Sequence, residues 1–125
     1  MSTDKFLYQD LSYNIIGLAM EVHKKFGCGF LEKVYENSMR VTLRRESIGA
    51  KQQSSVKVYF DGEQVGYYVA DIIVEDKIIL ELKTVSGLID EHKAQALNYL
   101  KATNLRLAIL LNFGTKSLQY HRLIN

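Results

Sequence analysis

One cysteine, Cys28, is all that the 125 residues contain. That excludes an intramolecular disulfide and a cysteine-based zinc site, and it suits a reducing cytoplasm. No apolar run approaches the length of a membrane span. The opening stretch MSTDKFLYQDLS holds early acidic residues and no apolar segment, which is not the pattern of a secretory signal. Charge of one sign is scarce too. The formal net charge is +2, so the average does not advertise a polyanion partner, although a local patch needs no such average. Internal repeats, low-complexity tracts and linkers are missing. Proline is absent altogether, and nothing follows from that. What is present, 47% hydrophobic and 24% charged residues, excludes disorder and fibrous architecture and points to one domain, 1–125, with a real core.

Helical periodicity runs from Leu11 to Phe26, with Leu11, Ile15, Leu18, Ala19, Val22 and Phe26 on one face and Asp10 or Ser12 as cap. Gly27 to Gly29 stop it. A second helix spans roughly Leu31 to Ser47; Leu31, Val34, Tyr35, Ser38, Met39, Thr42 and Leu43 form its buried side, and Gly49 ends it. The period then changes to two. SSVKVYF is a strand, Asp61 to Glu63 a hairpin turn, and QVGYYVADIIV a strand apolar on both faces and therefore central. Glu75 to Lys77 turn the chain into IILELKTV. A helix from Leu88 to about Thr103, an apolar strand Leu105 to Phe113 and an edge strand SLQYHRLIN complete the chain. The order ααβββαββ, with a helical crossover between two strands, implies an α/β sandwich around one mixed sheet.

Two strands carry charge where a core strand should carry none. Glu81 and Lys83 are two apart and share a face. Asp71 interrupts the preceding strand. If the turn is the three-residue Glu75-Asp76-Lys77, Val74 opposes Ile78 and Asp71 opposes Glu81; a turn one residue longer or shorter separates them. Side by side at about 4 Å, with an effective dielectric near 20, two carboxylates repel by roughly 4 kcal/mol, and desolvation adds to that. Lys83 offsets part. A hard divalent cation, Mg²⁺ or Mn²⁺, offsets more. The competing account is a structural Glu81–Lys83 salt bridge with Asp71 at a strand end. In the following helix, Gln95 and Tyr99 are four apart on one face, with His92 ahead of them. Glu32 opens the second helix beside the glycine loop. His23 and His92 read as surface or packing histidines.

Together these residues resemble a known pattern. Asp71, Glu81, Leu82 and Lys83 are similar to the PD-(D/E)xK nuclease superfamily signature, Gln95 and Tyr99 to the QxxxY helix of its RecB-like members, and GFLEKVY, Gly29 to Tyr35, to the element that names the GxxExxY protein family. Ala70 stands where the superfamily's proline would be, and Cys28 where GPG loops often carry proline. The resemblance implies a restriction-endonuclease-like core and metal-dependent phosphodiester hydrolysis of nucleic acid, DNA ahead of RNA. It assigns Asp71, Glu81 and the Leu82 carbonyl to the metal, with Glu32 as a further ligand or a holder of water. Lys83, Glu32, Gln95 and Tyr99 become the catalytic set, and Lys24, Lys25, Lys33 and Lys93 the substrate-binding lysines. It also implies a possible homodimer, for which Leu105 to Phe113 and the final strand leave room. A catalytically silent binding or assembly module on the same fold is the alternative.

Overall fold

The structure, a computed structural model, describes residues 7–125. Part of the opening stretch expected not to be a secretory signal, residues 1–6, lies outside the described residues. The elements are α1 (Gln9–Phe26), α2 (Glu32–Arg45), β1 (Ala50–Phe60), β2 (Glu63–Val74), β3 (Ile78–Lys83), α3 (Asp90–Thr103), β4 (Leu107–Asn112) and β5 (Gln119–Ile124). They form one sheet in the order β1-β2-β3-β4-β5. Only β3 and β4 are parallel, joined by α3; the other pairs are antiparallel. This is the mixed α/β architecture, with one helical crossover, that the resemblance implies.

Alternation along β3 divides the interior in two. Ile78, Leu80 and Leu82 point into a core with Ile15, Leu18, Val22, Tyr35, Met39 and Leu43 of α1 and α2. Ile79 points into a second core with Ala96, Tyr99 and Leu100 of α3. Glu81 and Lys83 follow Ile79 at intervals of two and so belong to the α3 face.

Several expectations need correction. Neither Asp10 nor Ser12 caps α1. The helix starts earlier, after Tyr8 in the left-handed conformation (φ 50°), and Ser12 is a buried helical residue whose N–H donates to the Tyr8 carbonyl. Leu31 is 80% exposed because it precedes α2 in extended backbone. Gly49 lies beyond the end of α2 and donates its N–H to Glu75 Oε1 at 2.6 Å. β2 is second from the edge, and only its end, from Ala70 to Val74, enters the cores. β4 is buried along its whole length between β3 and β5, so it offers no surface for pairing with another chain.

Beyond β4 the chain returns through a close approach. Gly114 packs on the backbone after β3: a Cβ there would meet Val85 N and O at 2.5 Å. Asn112 welds the same spot, its Oδ1 accepting the Val85 and Gly114 N–H groups and its Nδ2 donating to the Val85 carbonyl. Gly114→Ala is therefore expected to destabilise by about 1–3 kcal/mol in urea unfolding. Gly87→Ala, where the space is open, should stay within about 0.5 kcal/mol.

Candidate functional site

The turn Glu75-Asp76-Lys77 sets the register. Val74 pairs with Ile78 and Ile72 with Leu80, so the next position of β2, Asp71, comes opposite Glu81. There the backbone pairing stops. β2 bends away, and the Asp71 side chain takes over: its Oδ2 accepts the Leu82 N–H at 2.8 Å. In a strand, a residue's N–H and C=O point to the same edge. The Leu82 carbonyl therefore faces the gap that β2 has vacated, while the Lys83 carbonyl turns to the other side and accepts the Phe113 N–H.

The β1 side of the break is irregular as well. Gln53 of β1 is left-handed (φ 51°), and the β1–β2 pairing skips the position where it would oppose Asp71. That conformation turns consecutive side chains of β1 toward α2. Gln52 Nε2 and Gln53 Nε2 both donate to the Glu36 carboxylate, the second at 2.8 Å, and Lys33 Nζ pairs with it at 3.1 Å. Glu36 is 3% exposed. It is the site residue that reading the sequence missed, although its spacing of four from Glu32 put both carboxylates on one helical stripe.

Glu32 is held at the start of α2 by the glycine loop and Tyr35. The buried Tyr35 hydroxyl donates to the Gly27 carbonyl at 2.6 Å and accepts the Phe30 N–H, and its ring stacks on Phe113 at 4.6 Å. Gly27 and Gly29 have φ of 67° and 118°, a region that favours glycine. The G-x-x-E-x-x-Y spacing thus joins a strained loop to a hydroxyl that pins it, and aims the first turn of α2.

The electrostatics record how close these groups lie. Burial, then the charge of Asp71, pushes Glu81 up to about 9. Burial also raises Asp71, opposed by its bond from the Leu82 N–H and reinforced by Glu36. Glu32 is raised by burial and Asp71 and lowered by Lys83. Burial and the charges of Glu81 and Asp71 push Tyr99 up to about 12. Glu81 Oε1 is buried and has no hydrogen-bond partner.

Asp71 is thus within electrostatic reach of Glu81, Lys83, Glu32 and Tyr99. Gln95 is exposed on α3, one turn before Tyr99, and makes no hydrogen bond to the carboxylates. Tyr99 packs its ring on Tyr68 at 4.7 Å. Lys24 and Lys25 are exposed in the last turn of α1, Lys93 is half-buried on α3, and Lys33 is occupied by Glu36. His23 is structural, with Nε2 2.9 Å from the Thr115 carbonyl, and His92 Nδ1 accepts the Ile89 N–H at the start of α3. Among the described residues no group of three or more carboxylate, histidine or cysteine side chains is close enough to hold a metal ion. Two carboxylates and a carbonyl, with one orphaned carboxylate oxygen, are what the site offers. That all-oxygen set fits a hard cation completed by water.

The family model of the PD-(D/E)XK nuclease superfamily matches residues 9–123. The crystal structure of a protein designated SSO0001 superimposes with a TM-score of 0.61 at 18% identity, covering 75% of this chain and 50% of that one. The likeness is one of fold, and this chain spans about half the length of that protein. No curated protein matches in sequence.

A pH dependence follows from the Glu81 proton. Between the ordinary glutamate value and about 9, the folded protein keeps a proton that the unfolded chain releases, so stability is full below that range and is lost as pH rises through it. With a chelator present, the melting temperature should fall from about pH 5 to about pH 9, and Glu81→Gln should flatten that slope. An identical slope in the variant would show that Glu81 is not the group.

Proposed function

This chain belongs to the PD-(D/E)XK nuclease superfamily, and from that premise we propose that it hydrolyses phosphodiester bonds of nucleic acid, DNA ahead of RNA, with a divalent cation. The observation that carries the reading is the buried, partnerless Oε1 of Glu81 beside Asp71, with an ammonium on the same face. The competing structural salt bridge is not formed, since among the described residues no ion pair joins Lys83 to Glu81, and the oxygen stays orphaned at a cost of about 1–3 kcal/mol. Within the superfamily we assign the chain to the GxxExxY group, a reading supported by Gly29, Glu32 and Tyr35.

Asp71, Glu81 and the Leu82 carbonyl would hold Mg²⁺ or Mn²⁺. The chemistry such an ion supplies is charge neutralisation at the scissile phosphate and acidification of water. The protein's own part begins with the Glu81 proton. Its departure leaves two facing carboxylates, a dianion that only a cation makes tolerable so far from water. Lys83 stands on the same strand face and puts a positive charge where negative charge grows on the phosphate. Glu32, whose proton affinity is raised by burial and by the charge of Asp71, would hold a water or a further ion. Tyr99 braces α3 through Tyr68; Gln95, exposed one turn before it, would act only on a bound substrate, orienting Lys83 or the attacking water from the solvent side. Lys24, Lys25 and Lys93 contribute charge to the phosphate backbone; Lys33 contributes less while Glu36 holds it. A cytoplasmic setting is supported by the single exposed thiol of Cys28.

Mn²⁺ titration and cleavage of a mixed DNA and RNA panel test this. Lys83→Ala should keep the ion and lose cleavage by about 10²–10³-fold; Asp71→Ala should lose both. Unchanged affinity in Asp71→Ala would refute the ligand assignment. Tight ion binding with no cleavage of any substrate would favour the silent binding module instead.

A further inference from the structure

The β1–β2 pair runs well past the sheet. β3 pairs with β2 only from Ile72 to Val74, so residues 54–70 form a two-stranded arm closed by the Asp61-Gly62 turn, both residues at positive φ. Val56, Tyr68 and Ala70 lay one side of its base against α3. The opposite face, with Lys57 beside Tyr67 and Ser55 beside Val69, and the whole tip have no cover. Of the thirteen large apolar side chains exposed among the described residues, six are on this arm: Tyr59, Phe60, Val65, Tyr67, Tyr68 and Val69. Among the described residues no strand pairs with the outer edge of β1, or with the other edge of β2 from Asp71 to the tip.

A two-stranded ribbon is marginal in water without a third layer, and open edges invite pairing. The composition sharpens the point. QVGYYVADIIV is apolar on both faces, as in a strand covered from both sides, yet the fold covers only its end, from Ala70 to Val74. We propose that the arm is the contact surface for a second copy of this chain, the two arms lying antiparallel across a two-fold axis.

Charge and area select this occupant. The arm carries Lys57 against Asp61 and Glu63, one positive and two negative, a net of −1. A polyanion would find no basic face there. A two-fold contact must be self-complementary. Antiparallel arms meet that demand, because the acidic tip of each approaches Lys57 of the other while the tyrosines and valines meet between them. At 150–250 Å² per aromatic side chain, the exposed apolar groups other than Tyr68 amount to on the order of 500 Å² per copy, the apolar part of an interface of roughly 800 Å² per partner.

Sedimentation velocity of the whole chain over a wide concentration range tests this, with Val65→Asp/Tyr67→Asp as the variant. Both positions are solvent-exposed, so the melting curve should be unchanged at low concentration. The expected result is a concentration-dependent wild-type dimer that the double substitution abolishes. A wild type that stays monomeric, or a dimer that survives the substitutions, overturns the proposal. Amide hydrogen exchange of residues 54–60 in the wild type decides the matter if the variant fails to fold: protection that grows with concentration supports the contact, and protection independent of it refutes it. A monomer that loses nucleic-acid binding on substitution would make the arm a base-stacking platform and overturn the dimer.

Discussion

A single substitution of partners organises the site: the Asp71 carboxylate replaces a backbone carbonyl as acceptor for the Leu82 N–H. A strand that leaves a sheet normally strands donors and acceptors on its former neighbour. Here the departing residue satisfies the donor with its own side chain and leaves the acceptor, the Leu82 carbonyl, facing the gap. The carboxylate is thereby fixed beside Glu81, and the gap gains a ring of oxygen atoms. Opening the sheet and building the site are one event.

Support for that arrangement comes from both faces. On one, the Phe113–Tyr35 stack and the Tyr35–Gly27 hydrogen bond hold the start of α2, and Glu36 ties the helix to Gln52 and Gln53 at the bend of β1. On the other, Tyr99 lies under the carboxylates and carries Tyr68 of the arm. Glu36 is buried yet has three donors, so its charge is met. Glu81 has no such company. The two acids show how one stripe of chemistry divides into a structural member and a reactive one, according to what surrounds each.

Much of this was legible in the residues. The odd turn gave the Asp71–Glu81 register, since parity is a local property. Alternation put Glu81 and Lys83 together, and helical spacing put Tyr99 near them. What escaped was non-local. Glu36 looked like one more charge after Tyr35, because its amide partners lie on a strand and only the left-handed Gln53 turns both toward it. Gln95 shares a helical stripe with Tyr99, but a turn of offset leaves it in solvent. β2 read as central since its composition reports burial on two sides, whereas the single chain supplies that cover only near Val74. Caps failed for a similar reason: Tyr8 bends the chain at a place where sequence preference predicts no bend.

The turn between β2 and β3 sits at the far end of both strands from the carboxylates, with Glu75 and Asp76 left-handed and the Lys77 N–H returned to Val74. Its side chains are exposed but engaged: Glu75 Oε1 holds the Gly49 N–H and Asp76 pairs with Lys51. Its length is another matter: one inserted or deleted residue would rotate Asp71 to the opposite side of the sheet and disarm a centre it never touches. Evolution should therefore guard the count of that loop even more closely than its letters.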